Sequence, residues 1–91
     1  MSQGMATEAR RLALLARAAV HGPALLLLDE PCQGLDAEGR SAVQAAIAAV
    51  AEALLAAMIY VTHDHDEIPA SVTHALVLDR GQARYRGPRQ P

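Results

Sequence analysis

Three groups of residues in this chain have types and spacings that could do chemistry. Adjacent carboxylates, Asp29 and Glu30, follow the four leucines Leu25–Leu28. His63 follows the apolar run MIYVT, Met58–Thr62, and opens a polar cluster, HDHDE. Ser2-Gln3-Gly4 stands just ahead of a stretch rich in arginine and leucine. Two acids beside a histidine suit a metal–phosphate or hydrolytic site, with one carboxylate facing a cation and the other polarising a water. A serine and a glycine opening a helix could hold a phosphate through free N–H groups and the positive end of the dipole.

Such groups act together only if the elements bring them to one place. From about residue 5 to 20, Leu12, Leu15, Ala16 and Ala19 recur at helical spacing, and His21-Gly22-Pro23 ends that helix. Arg10, Arg11 and Arg17 take the other positions and are expected to form a solvated face. The run ALLLL is apolar without alternation, which predicts a strand buried on both faces of a parallel sheet. Asp36 can cap a second helix, with Glu38 in its first turn. That helix carries Val43, Ile47, Val50 and Leu54 on one stripe and is predicted to run to about Ala57. MIYVT reads as a second buried strand, and HALVLD, beyond Pro69, as a third. Arg80-Gly81 predicts a turn into a short strand through Tyr85, with RGPRQP as a frayed tail.

Helical crossovers between buried strands imply an α/β fold, mostly parallel strands with flanking helices. Ligands of open parallel sheets bind beyond the carboxyl ends of the strands, so Asp29, Glu30 and His63 are expected to share one rim. With 91 residues, the chain suffices for one small domain. Its core is expected to be aliphatic: 52% of residues are hydrophobic, but there is no Phe or Trp and only two Tyr. A net charge of −2 without a basic run argues against nucleic acid as a partner. No apolar run is long enough to span a bilayer, nor does the N-terminus read as a signal peptide. The single cysteine, Cys32, fits a reducing, cytoplasmic setting and reads as a small filler.

MSQG before an Arg/Leu-rich helix, then LLLLDE, GLD and VTHD, in this order, resemble the ATP-binding subunits of ABC transporters. The resemblance spans residues 1–91. It implies a signature motif and its helix over 1–21, with the Walker B strand, D-loop, switch histidine and terminal strands over 22–91. Within the family, DEPCQGLDAEGR and YVTHDHDEIP resemble the molybdenum-transport (ModF-like) branch, also labelled photorepair proteins. The roles implied are Mg²⁺ binding for Asp29, polarisation of the attacking water for Glu30, and contact with the γ-phosphate of ATP for His63. Ser2, Gln3 and Gly4 would meet the γ-phosphate of a nucleotide held by an opposing subunit, and Asp36 would help join the two sites. The implied partners are a second ATPase domain, in an ATP sandwich, and a membrane permease that would bring the subunit to the inner face of the cell membrane.

The signature departs from the family pattern at Met1, Gln3 and Met5. All eight basic residues are arginine, so the chain carries no lysine and no G-x-x-x-x-G-K-[ST] loop. The resemblance therefore implies a partial P-loop NTPase sheet, the C-terminal half of one domain, whose N-terminal half would bring the Walker A loop. A non-catalytic fragment that pairs with another ATPase domain is the alternative expectation. A remoter one is a metal-dependent hydrolase, since His63 and His65 beside Asp64 and Asp66 have zinc-compatible spacing.

Overall fold

In the computed structural model of the chain, residues 3–89 are described. Helix α1 spans Gln3–Ala19, with Arg17 in its last turn where a cation complements the negative dipole end. It stops where the Gly22 N–H bonds back to the Ala19 carbonyl, and Gly22 adopts φ 59°. Strand β1, Leu25–Asp29, leads into helix α2, Ala37–Leu54, which crosses back to strand β2, Ala57–Val61. β1 and β2 are parallel neighbours, with Leu25 opposite Ala57 and Asp29 opposite Val61. This is the strand–helix–strand unit expected of buried apolar runs joined by an amphipathic helix.

α2 begins as anticipated. Asp36 is extended and its Oδ1 accepts the Gly39 N–H at 2.8 Å, satisfying one orphan donor of the first turn. Gly39 is buried where α1 comes close: a Cβ there would lie 3.2 Å from both Asp36 Oδ1 and Glu8 Oε1. The helix ends at Leu54 rather than near Ala57, because Leu55 turns left-handed and returns its N–H to Ala51 and Glu52.

Val43 and Ile47 are buried with Leu15, Cys32 and Leu35, and Leu28, Met58, Tyr60 and Leu12 pack against them. The helices thus cover one face of the β1–β2 pair. The expectation of strands buried on both faces is corrected: Leu25, Leu27, Ile59 and Val61 are exposed, Leu27 at 66%. Side chains alternate across a strand, and the buried core under α1 and α2 takes up only one of the two faces.

The third strand differs from expectation too. β3, His74–Asp79, does not join β1 and β2 but pairs antiparallel with β4, Gln82–Pro88. Arg80 and Gly81 both take positive φ, and such a two-residue loop returns the chain directly as a hairpin, whereas a parallel neighbour needs a long crossover. β4 also runs past Tyr85 to Pro88, so the first half of the expected tail, residues 86–88, is strand. The architecture is α/β with one parallel and one antiparallel pair, less parallel than the sequence suggested.

Candidate functional site

The parallel pairing of β1 and β2 brings their carboxyl ends to one rim. Asp29 ends β1 with an exposed side chain, on the face it shares with Leu25 and Leu27. Glu30 then leaves the strand with φ 49°, its N–H still held by the Val61 carbonyl at 2.8 Å. A left-handed conformation in a side-chain-bearing residue costs about 1–2 kcal/mol, so its surroundings must hold it there. They aim the carboxylate across the rim. Glu30 Oε1 accepts the backbone N–H of His63 at 3.1 Å and lies 3.3 Å from His63 Nε2. The imidazole is 97% exposed while the Glu30 side chain is only 22% exposed. A contact so open to water adds little stability, which leaves the imidazole presented outward for a ligand.

Two residues hold this rim that the sequence did not single out. Arg11, expected on a solvated face, is half-buried: its Nη1 donates to the carbonyls of Glu30 (3.0 Å) and Pro31 (2.7 Å), and its Nη2 to that of Gln33 (3.0 Å). The signal was present as spacing, since Arg11, Leu15 and Ala18 stand at i, i+4 and i+7 on one helical face. Glu67 is buried, at 5% exposure. Its Oε1 accepts the Cys32 N–H (3.2 Å) and the Tyr60 hydroxyl (2.9 Å), its Oε2 accepts the Thr62 hydroxyl (2.5 Å), and its carbonyl accepts Gln44 Nε2. Burial alone would raise the Glu67 pKa, but bonds from Thr62, Tyr60 and Cys32 outweigh it and hold the carboxyl below its ordinary 4.5. Burial pushes the Tyr60 and Cys32 pKa values up, with Glu67 adding to both. Nothing in HDHDE distinguishes this acid from its exposed neighbours.

The remaining candidates stand apart from this contact. Asp36 lies at the start of α2 with its carboxylate engaged by Gly39. Ser2 lies outside the described residues, while Gln3 and Gly4 form the first turn of α1. His65 and Asp66 sit in a single 3-10 turn, His65–Glu67. Asp64 accepts the Asp66 N–H and pairs with Arg40 at 3.6 Å. Among the described residues no group of three or more His, Cys, Asp or Glu is arranged to hold a metal ion. Asp29 by itself is an exposed oxygen donor of the hard kind that suits Mg²⁺ shared with phosphate and water.

An open apolar groove of about 390 Å³ follows β1, lined by Arg11, Leu14, Ala18 and Pro23 together with Leu25 and Leu27 of the strand. No described helix is long and apolar enough to cross a membrane.

No protein-family model matches the chain. Curated proteins do. It is 40% identical over 78 residues to the ABC transporter ATP-binding protein ModF of Escherichia coli, covering 84% of this chain and 16% of that one. It is 45% identical over 75 residues to the aliphatic sulfonates import ATP-binding protein SsuB of Granulibacter bethesdensis, covering 82% of this chain and 31% of that one. To the molybdenum import ATP-binding protein ModC of Bordetella pertussis it is 32% identical over 88 residues, covering 97% and 24%. The chain thus spans between about a sixth and a third of the length of these relatives.

Proposed function

The chain belongs by homology to the ABC transporter ATP-binding proteins, of which it spans a segment, and we propose that it supplies the hydrolytic rim of such an ATPase. The observation that carries this reading is the contact between Glu30 and His63 at the carboxyl ends of two parallel strands. Glu30 polarises the water that attacks the γ-phosphate of ATP, from a position fixed by the Val61 carbonyl and the Arg11 clamp. His63, with its ring in solvent, contacts that phosphate and reports its presence. Asp29 would hold Mg²⁺, which would supply charge neutralisation at the phosphates. The start of α1, with Ser2, Gln3 and Gly4, faces the γ-phosphate of a nucleotide held by a second ATPase domain, and Asp36 helps join the two sites. A Walker A loop carried outside these 91 residues completes the phosphate cradle, so the chain by itself turns over no ATP. The assembled subunit works at the inner face of the cell membrane on a permease.

Molybdate is the cargo we assign, because ModC, a molybdenum import ATP-binding protein, is among the relatives and DEPCQGLDAEGR resembles the molybdenum branch. SsuB, at higher identity, is named for aliphatic sulfonates import. A second reading, a fragment that binds another ATPase domain without catalysis, draws on the exposed Leu25, Leu27, Ile59 and Val61.

The test is ATP turnover in a domain reassembled from this chain and a Walker A half. Glu30→Gln keeps an oxygen to accept the His63 N–H but removes the charge. It is expected to lower turnover about 10²–10⁴-fold, the range for loss of a positioned base, while leaving ATP binding intact. Unchanged turnover would refute the role of Glu30.

A further inference from the structure

We propose that Glu67 is a positioning residue that fixes the Glu30–His63 rim by holding the turn behind Glu30 and the loop before His63 in one register. The function of that rim rests on the ATPase reading above, but its geometry does not. Glu30 and His63 meet across 33 positions of sequence and come from different strands, so their contact depends on how two short segments are placed. Each segment ends in a bond to the same carboxylate. Cys32, two residues after Glu30, gives its N–H to Oε1, and Thr62, next to His63, gives its hydroxyl to Oε2. The Thr62 oxygen in turn accepts the Asp64 N–H at 3.0 Å, so the residues on both sides of His63 are tied to one network. Tyr60 adds a third donor from β2, and Gln44 fixes the Glu67 backbone to α2.

A buried carboxylate with three donors is held far more firmly than one exposed at a loop, and removing it leaves those donors unsatisfied. Glu67 has no solvent path to a nucleotide comparable to that of Glu30 or His63. Its part is to keep them facing each other.

The experiment is amide NMR on the chain at neutral pH without nucleotide, comparing Glu67→Gln, Thr62→Val and Thr62→Ser. In Glu67→Gln, Cys32 amide exchange is expected to quicken about tenfold or more, as for loss of a bond to a charged acceptor. The His63 amide proton is expected to move upfield as its bond to Glu30 weakens. Thr62→Val reproduces the His63 change, and Thr62→Ser, which restores the hydroxyl, reverses it. Exchange at Ile47, in the core, stays within about threefold. An unmoved His63 resonance in both Glu67→Gln and Thr62→Val overturns the proposal. So does a rise at Ile47 matching that at Cys32, which marks a merely structural role. Should Glu67→Gln fail to fold, the Thr62 pair decides the matter. Because no nucleotide is present, failure here and failure of the ATPase reading are separate results.

Discussion

Replacing Arg11 with alanine tests how the rim is held. The guanidinium makes two half-buried bonds, to the Glu30 and Pro31 carbonyls at 3.0 and 2.7 Å, and an exposed one to Gln33 at 3.0 Å. A bond from a charged donor contributes about 1.5–3 kcal/mol when sheltered, and an exposed one close to nothing. Discounting the two half-buried bonds for competing water leaves about 1 kcal/mol each, or about 2 kcal/mol in all. That matches or exceeds the about 1–2 kcal/mol needed to keep Glu30 at φ 49°. Without the clamp, Glu30 should therefore relax toward ordinary backbone angles and its carboxylate should leave His63. Native-state hydrogen exchange reads this at two amides inside the turn, Gln33 bonded to the Glu30 carbonyl and Leu35 bonded to that of Cys32. About 2 kcal/mol corresponds to roughly 30-fold faster exchange at both. Lysine, a point charge without the guanidinium fork, should recover less than half of the loss. A change under threefold in Arg11→Ala, or an equal change at Ile47, would show that the clamp does not hold the turn.

Leu55→Gly should stabilise the chain by about 1 kcal/mol in urea denaturation followed by circular dichroism, because Leu55 caps α2 at φ 52° with its side chain 90% exposed. Asp36→Ala should cost about 1 kcal/mol by the same assay, with the Gly39 amide exchanging faster. Stability should be greatest between about pH 5 and pH 9. Glu67 is depressed in the folded state, so its contribution is complete above its ordinary 4.5 and is lost as pH falls through its lower folded value. Cys32 and Tyr60 are raised, so theirs is complete below the ordinary 9.0 and 10.0 and declines as pH climbs beyond them. Flat stability from pH 3 to 7 would refute the assignment of Glu67 as an ionised hub.

What could be read from the sequence was local or periodic. The Asp36 cap, the stripe of Val43 and Ile47, the strand β1 and the turn at Arg80-Gly81 are each decided within a few residues, and the structure reproduces them. That Glu30 and His63 share a rim also followed, because parallel strands joined by a helix put their carboxyl ends on one side, but their direct contact did not. The pairing of β3 was missed, since an apolar strand says nothing of which neighbour it takes, and the Arg80-Gly81 turn settles that for a hairpin. Arg11 and Glu67 were missed for a different reason. Charged residues read as solvated until the backbone groups that neutralise them are located, and those lie 19 to 35 positions away.

These two missed residues act on the same few peptide groups, and their charges explain the division of labour. The turn after Glu30 presents carbonyls on one side, where the Arg11 cation gathers those of Glu30, Pro31 and Gln33. It presents the Cys32 N–H on the other, where the Glu67 anion accepts it. A cation can only donate and a carboxylate can only accept, so exchanging the two would leave every one of these bonds unmade. The orientation of the turn, and with it the direction in which Glu30 points, is therefore fixed by peptide polarity as well as by sterics. The two clamps also originate on different elements: Arg11 on α1, and Glu67 on the 3-10 turn beyond β2. Any shift of α1 relative to β2 must then pull at the peptide groups that set the Glu30 carboxylate, which mechanically links the middle of α1, at Arg11, to the rim where His63 stands.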